Sequence, residues 1–188
     1  MKAKKVLGCL LGAILFAALG TTVSQAAPVY YPGTGHYYDA VPGTINWDNA
    51  KTAAESLSYL GTPGYLATVT SAGENDFIFY TMGGGNLNTY WLGGFQPNNS
   101  PEPNGNWQWV TGEPWNYSNW GYGEPNNWRN QNENALHYWA YPATWNDVGS
   151  KWTASGYVVE FPVPEPASLL LLASGLPGLI GLAKKKLF

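Results

Sequence analysis

From Gly112 to Asp147 the chain reads GEPWNYSNWGYGEPNNWRNQNENALHYWAYPATWND. Little apolar periodicity of the helical or the strand kind runs through these residues. Structureless loops longer than ~15 residues are uncommon unless they carry function or are disordered. This one holds Trp115, Trp120, Trp128, Trp139 and Trp145, too much apolar surface for a solvated linker. The expectation is therefore a long, ordered, aromatic-rich loop that binds something. Its polar residues are chemically specific. Glu124-Pro125-Asn126, then Glu133, then Asn146-Asp147 offer three carboxylates and two amide oxygens. Ca²⁺ takes about six to eight hard oxygen ligands, and five such side chains with a backbone carbonyl and water fill that shell. Zn²⁺ lacks its usual donors, because the sole cysteine, Cys9, lies near the N-terminus and His36 and His137 are far apart in sequence. Both histidines read as surface or satisfied core residues.

Outward from the loop, all ten tryptophans lie between Trp47 and Trp152, so the two ends are a different kind of sequence from the middle. The chain has 188 residues, 45% hydrophobic and 11% charged, which excludes a highly charged disordered polymer. Between Pro28 and Val163 only Lys51, Arg129 and Lys151 face eleven acids, a net charge of −8. A body this acidic carries no footprint for nucleic acid or anionic lipid, whereas a divalent cation suits it.

The middle is long enough for one modest core. Trp47, Ala50, Ala54 and Leu57 recur at helical spacing behind a capping Asn46. Ser71-Ala72-Gly73-Glu74 is a capping box that opens a second, short helix through Phe77, Ile78 and Tyr80. Tyr65 to Thr70 reads as a strand, and short β-like runs follow at Tyr90–Leu92, Trp107–Val110 and Gly156–Phe161. Helices followed by strands predict an α+β fold.

The ends read as addresses. Lys2, Lys4 and Lys5, the apolar run Val6–Leu19 and small residues up to Ala27 form a signal peptide over residues 1–27. The run is shorter than the ~20 residues that span a membrane, and cleavage would take Cys9 away, leaving residues 28–162 without a disulfide. Residues 163–188 hold Pro164-Glu165-Pro166, the apolar Ala167–Ala183 and three lysines, Lys184 to Lys186. This string resembles the PEP-CTERM sorting signal of Gram-negative bacteria, a Pro-Glu-Pro motif with a transmembrane helix and basic tail, processed by an exosortase. The resemblance implies export, an inner-membrane-anchored precursor, and release to the cell surface or extracellular polymer layer. Signal peptidase and exosortase would be partners in export, with the membrane a transient one.

Five motifs stand in order along residues 36–161: Trp91-Leu92-Gly93-Gly94, Trp107-Gln108-Trp109 with Tyr117-Ser118-Asn119-Trp120, Glu124-Pro125-Asn126, Glu133-Asn134 and Trp145-Asn146-Asp147. Together they resemble a C-type lectin domain. The first stands where that family has Trp-Ile-Gly-Leu, the second matches the run into its binding loop, and the last three match its Glu-Pro-Asn, Glu-Asp and Trp-Asn-Asp. The resemblance implies two helices and short antiparallel sheets with a long calcium-binding loop. It implies Glu124, Asn126, Glu133, Asn146 and Asp147 as Ca²⁺ ligands, the carbonyl of Asp147 included. Glu124, Asn126, Glu133 and Asn146 would also contact sugar hydroxyls, and the Glu124–Pro125 bond would be cis. The Glu-Pro-Asn order resembles members that prefer mannose, glucose and N-acetylglucosamine over galactose. The family's usual disulfides are missing, with Ala135 where a cysteine is common. Asn127 and Asn134 stand where some members place acids of an auxiliary site, so one strong calcium is expected. Glu102-Pro103-Asn104 repeats the tripeptide but falls in the turn after the Trp91 strand, has no partner acids at the family's spacing, and reads as a turn.

Two other functions are weighed against sugar binding. A lectin-like scaffold can serve adhesion or protein interaction without binding sugar, because fold does not fix function. Glu124 and Glu133 could mimic a glycosidase pair, but calcium would hold both ionised and leave no general acid. The expectation is a binding protein and not an enzyme.

Overall fold

The computed structural model describes residues 26–140 and 142–163. Residues 1–25 and Pro164, Glu165 and Pro166 with the tail that follows lie outside the described residues, and with them the signal-peptide core and the sorting signal. Among the described residues no helix is long and apolar enough to cross a membrane.

The chain enters through β1 (Val29–Tyr31) and β2 (His36–Asn46), which form an antiparallel hairpin. Helix α1 (Trp47–Ser56) starts where Asn46 accepts a hydrogen bond from the Asn49 amide at 2.9 Å. Its buried Trp47, Ala50 and Ala54 are the residues whose spacing predicts the helix. A two-strand ribbon, β3 (Ser58–Tyr59) with β4 (Thr62–Pro63), leads to β5 (Tyr65–Leu66). The strand expected through Thr70 stops at Leu66. Beyond it the Thr68 amide donates to the Glu160 carboxylate and the Thr70 amide to Glu74, so side chains replace the ladder.

Helix α2 (Ala72–Asp76) is capped by Ser71, and its buried Glu74 reaches Thr70, not the cap's own amide. The expected continuation through Tyr80 is a wider, π-type turn over Phe77–Met82. Then follow β6 (Tyr90–Phe95), β7 (Gln108–Trp109), β8 (Ala135–Ala140), β9 (Thr144–Val148) and β10 (Thr153–Phe161).

The main sheet runs β1-β2-β10-β6-β8-β9, with β5 also on β10 and β7 on β6. The strands were expected to pair antiparallel. One central pair is parallel instead, with Gly156 opposite Tyr90 and Tyr157 opposite Trp91. Parallel pairing needs a long crossover, and the whole binding loop with its hairpin is that crossover. Gly93 lets β6 close against the end of β5. A Cβ there would sit 2.5 Å from the Leu66 carbonyl oxygen, while its amide donates to Ala67 at 2.8 Å. Two apolar clusters fill the fold. One places α1 with Leu66, Trp91 and Val159, and the other gathers Phe79, Leu92, Trp109, Leu136 and Trp145.

The stretch from Gly112 to Asp147 is not all loop. Its last third is the β8–β9 hairpin. The rest wraps the indole of Trp145, which is fully buried. Trp115 stacks on Trp109 at 4.4 Å, and Trp115, Tyr117 and Trp120 all meet Trp145 at 5.5–6.0 Å. Such aromatic pairs add ~0.5–1.5 kcal/mol each beyond their buried area. The loop therefore carries its own miniature core, with no disulfide among the described residues.

Candidate functional site

The site is assembled by strand alternation on the β8–β9 hairpin. Successive side chains of a strand face opposite sides. On β9, Trp145 and Asp147 are buried whereas Asn146 and Val148 are half-buried. On β8, Leu136 and Tyr138 belong to the core cluster, so His137 and Trp139 take the other face. The register pairs His137 with Asn146 and Leu136 with Asp147.

Glu124, Asn126, Glu133 and Asn146 line one cavity of about 480 Å³, together with Thr89, Trp128, His137, Trp139, Val148 and Trp152. Four of the five expected ligands thus converge. Asp147 lies behind them. Its carboxylate accepts from the Asn126 amide at 3.0 and 3.2 Å and from the Asn127 amide at 2.9 Å, fastening the Glu-Pro-Asn turn to β9. The Glu124–Pro125 peptide bond is cis.

The electrostatics bear on what the site can hold. Burial pushes the Glu124 carboxyl up to about 7, helped by the charge of Asp147, by hydrogen bonding to it, and by Glu133. One oxygen of Glu124, Oε2, is buried without a hydrogen-bond partner. Glu133 is raised by burial and by Asp147 and Glu102, although the Trp128 amide donates to it. Crowded, desolvated carboxylates with an unpartnered oxygen suit a bound cation. Among the described residues no three His, Cys, Asp or Glu side chains already stand as a metal cluster. The set here mixes two carboxylates with two amides, which is calcium chemistry.

Asn146 is held in place on its nitrogen side. Its Nδ2 donates to the Asp147 carbonyl at 2.7 Å and meets His137 Nε2 at 3.1 Å, leaving Oδ1 for another partner. Burial lowers the His137 ring to about 4, so it is neutral near pH 7 and can accept that hydrogen bond. His137, read as a surface or satisfied core residue, is buried, bonded to Asn146, and lines the cavity. His36, by contrast, is satisfied by Glu160 away from the site. The two neutral residues expected to weaken an auxiliary site have structural work. Asn127 Oδ1 accepts from the amides of Asn132 and Glu133, and Asn134 Oδ1 accepts from the Ser150 amide. Asn127, Asn130 and Asn132 all adopt positive φ, which asparagine tolerates better than most residues.

Glu102-Pro103-Asn104 is a turn, as read. Burial and then the charge of Asp147 raise the Glu102 carboxyl, because the loop folds back toward the hairpin. The cavity tryptophans Trp128, Trp139 and Trp152 were not singled out as site residues. Trp139 could have been placed by alternation from His137, had the hairpin been recognised.

The profile of the Lectin C-type domain family matches residues 43–158. The chain belongs to the C-type lectin domain family. Lectin BRA-3 of Megabalanus rosa is 32% identical over 114 residues, 60% of this chain and 64% of that one. The chain spans less than two thirds of the length of the curated relatives it matches. Among solved structures, the C-type lectin CEL-I of Cucumaria echinata is 25% identical with a TM-score of 0.59, covering 69% of this chain and 91% of that one. The carbohydrate-recognition domain of cow CD23, solved in the presence of a GlcNAc2Man3 oligosaccharide, is 27% identical with a TM-score of 0.58, covering 69% and 90%. C-type lectin domains are in general binding proteins, not enzymes.

One pH effect follows for this lectin domain without calcium. A carboxyl whose folded pKa is raised is protonated more readily in the folded state, so ionising it costs stability as pH rises. The window for Glu124 runs from its ordinary value of 4.5 to about 7. Glu124→Gln is therefore expected to melt higher than the unsubstituted protein at pH 8 without calcium, with the gap closing toward pH 4.5. Thermal melts of both proteins across that range check it.

Proposed function

We infer that this domain binds carbohydrate through a calcium ion held by Glu124, Asn126, Glu133 and Asn146, with Asp147 supporting the set through its carboxylate and carbonyl. The observation that carries the reading is the convergence of two carboxylates and two amides on one cavity. When bound, the calcium would supply positive charge that attracts a vicinal pair of sugar hydroxyls. The chain's own groups then sort those hydroxyls. Glu124 and Glu133 accept hydrogen bonds from them, and the Asn126 side-chain amide donates to their oxygens. Paired equatorial hydroxyls of mannose, glucose or N-acetylglucosamine type fit the Glu-Pro-Asn order. The oligosaccharide named with the cow CD23 domain supports this class.

The test is calorimetry of the purified protein with methyl mannoside and methyl galactoside, with calcium and then with a chelator. Calcium-dependent heat with mannoside is the expected result. Calcium binding with silence on both sugars would favour a scaffold for adhesion. The double change Glu124→Gln with Asn126→Asp should shift preference toward galactoside. It keeps one carboxylate and one amide but exchanges donor for acceptor, and an unmade buried hydrogen bond costs ~1–3 kcal/mol. A double variant that binds calcium normally and still prefers mannoside would remove this turn from the sugar site.

The proposed setting is outside the cell, at the surface or in the extracellular polymer layer of a Gram-negative bacterium. Many copies displayed there would raise avidity for a repetitive glycan. Glu165→Ala is expected to leave the precursor in the inner membrane, whereas a simple tail anchor would not respond to the change. Cell fractionation of the variant distinguishes the two.

A further inference from the structure

Three tryptophans stay substantially exposed, Trp128 at 60%, Trp139 at 51% and Trp152 at 44%, and all three line the same cavity. Exposed indoles gathered at one polar-rimmed site mark a binding surface, not a surplus of core residues. Trp128 has the guanidinium of Arg129 over its ring at 5.5 Å. Trp139 and Trp152 behave differently. Both pack on the ring of His137, at 6.0 and 5.5 Å between centroids, and His137 in turn meets the amide of Asn146. The two indoles therefore stand one side chain away from the proposed ion ligands, on the wall formed by β8 and the turn before β10.

We propose that Trp139 and Trp152 form a second carbohydrate subsite that takes the next pyranose of a β-linked chain whose terminal sugar sits at the Glu124–Asn146 site. The inference rests on the sugar-binding reading above and extends it from a single sugar to a chain. The chemistry selects the ligand. An aromatic face is electron-rich, and a pyranose with equatorial substituents presents a flat face of C–H bonds that complements it. An axial hydroxyl on that face would break the contact and bury an unpaired polar group. Glucose- and N-acetylglucosamine-type residues joined by β linkages meet this condition along the whole chain. At about 480 Å³ the cavity falls within the roughly 300–1,000 Å³ of small-molecule sites.

The experiment is calorimetry of the full chain in calcium with N-acetylglucosamine and with its β1,4-linked trimer, accompanied by tryptophan fluorescence. The trimer should bind about tenfold more tightly, a difference of ~1.4 kcal/mol, and should shift the emission more than the monomer does. Trp139→Ala should cost the trimer more affinity than the monomer, so that the ratio of the two falls to about one, and a separate calcium titration reads any effect on the ion site. Trp152 also packs edge-on against Trp91, so its alanine variant risks the fold. Trp139→Phe and Trp152→Phe serve instead and should keep part of the advantage. Equal affinity for monomer and trimer, or an advantage that survives Trp139→Ala, overturns the subsite and leaves the ion site standing. A trimer affinity that depends on Trp139 and is the same in chelator as in calcium supports the subsite and overturns the ion reading.

Discussion

Calcium raises the melting temperature of this protein and a chelator reverses the gain: that is the expected result of a thermal melt in the two conditions. A ligand that binds only the native state stabilises it by about 2.7 kcal/mol at a hundredfold excess over Kd. The structure gives the ion more than average leverage. No disulfide holds the described residues, and Glu124, Glu133 and Asp147 crowd one another, with the first two raised above the ordinary carboxylate range. Part of the loop should not respond. The cluster of Trp109, Trp115 and Trp145 is held by ring contacts and by backbone hydrogen bonds from Trp145 to Asn119 and from Gly121 to Trp145, none of which involves the ion ligands. Limited proteolysis in chelator should therefore cut between Gly121 and Glu133, where Tyr122 and Trp128 are exposed, and spare the region around Trp115. Acid should release the ion as well, since protonated carboxylates are poor ligands. A melting curve indifferent to chelator sinks the metal assignment.

Asp147→Ala is expected to be the most damaging single change at the site. The carboxylate is fully buried and receives the amides of Asn126 and Asn127. Hydrogen bonds to a charged group contribute ~1.5–3 kcal/mol, and the orphaned amides add their own cost. Relief of repulsion with Glu124 returns a fraction. A net loss of ~2–4 kcal/mol is expected, with calcium and sugar binding lost together. Asp147→Asn keeps the volume and one acceptor oxygen, so it should fold better and still bind calcium weakly. Denaturant melts and calcium titration of both variants check this. If Asp147→Ala retains full calcium affinity, the carboxylate is not what positions the Glu-Pro-Asn turn.

The helices were legible because their signals are local. Asn46 caps the residues whose 3.6-residue spacing buries Trp47, Ala50 and Ala54, and Ser71 caps the second helix. The order of the long loop was legible too, since five tryptophans in so short a stretch must find partners. The β8–β9 hairpin was not. Residues 135–140 are largely apolar on both faces, so alternation is hidden there. Strand β2 was missed for another reason: it pairs with β10, more than a hundred residues away, and local pattern carries no trace of that contact.

By itself the sequence determined which oxygen donors the site contains, because carboxylates, amides and the proline turn are fixed by residue identity and short spacing. Only the tertiary structure decided which way they face. Asn146 and Asp147 are neighbours in sequence yet point to opposite sides of β9, one into the cavity and one behind it. That choice is made by register, which Leu136, Tyr138 and Trp145 set by burying themselves in the core. The same register brings His137 against the Asn146 amide and turns Trp139 toward the cavity. A period of two can be read in a strand only once its buried face is known, and that face is defined by residues far away in the chain.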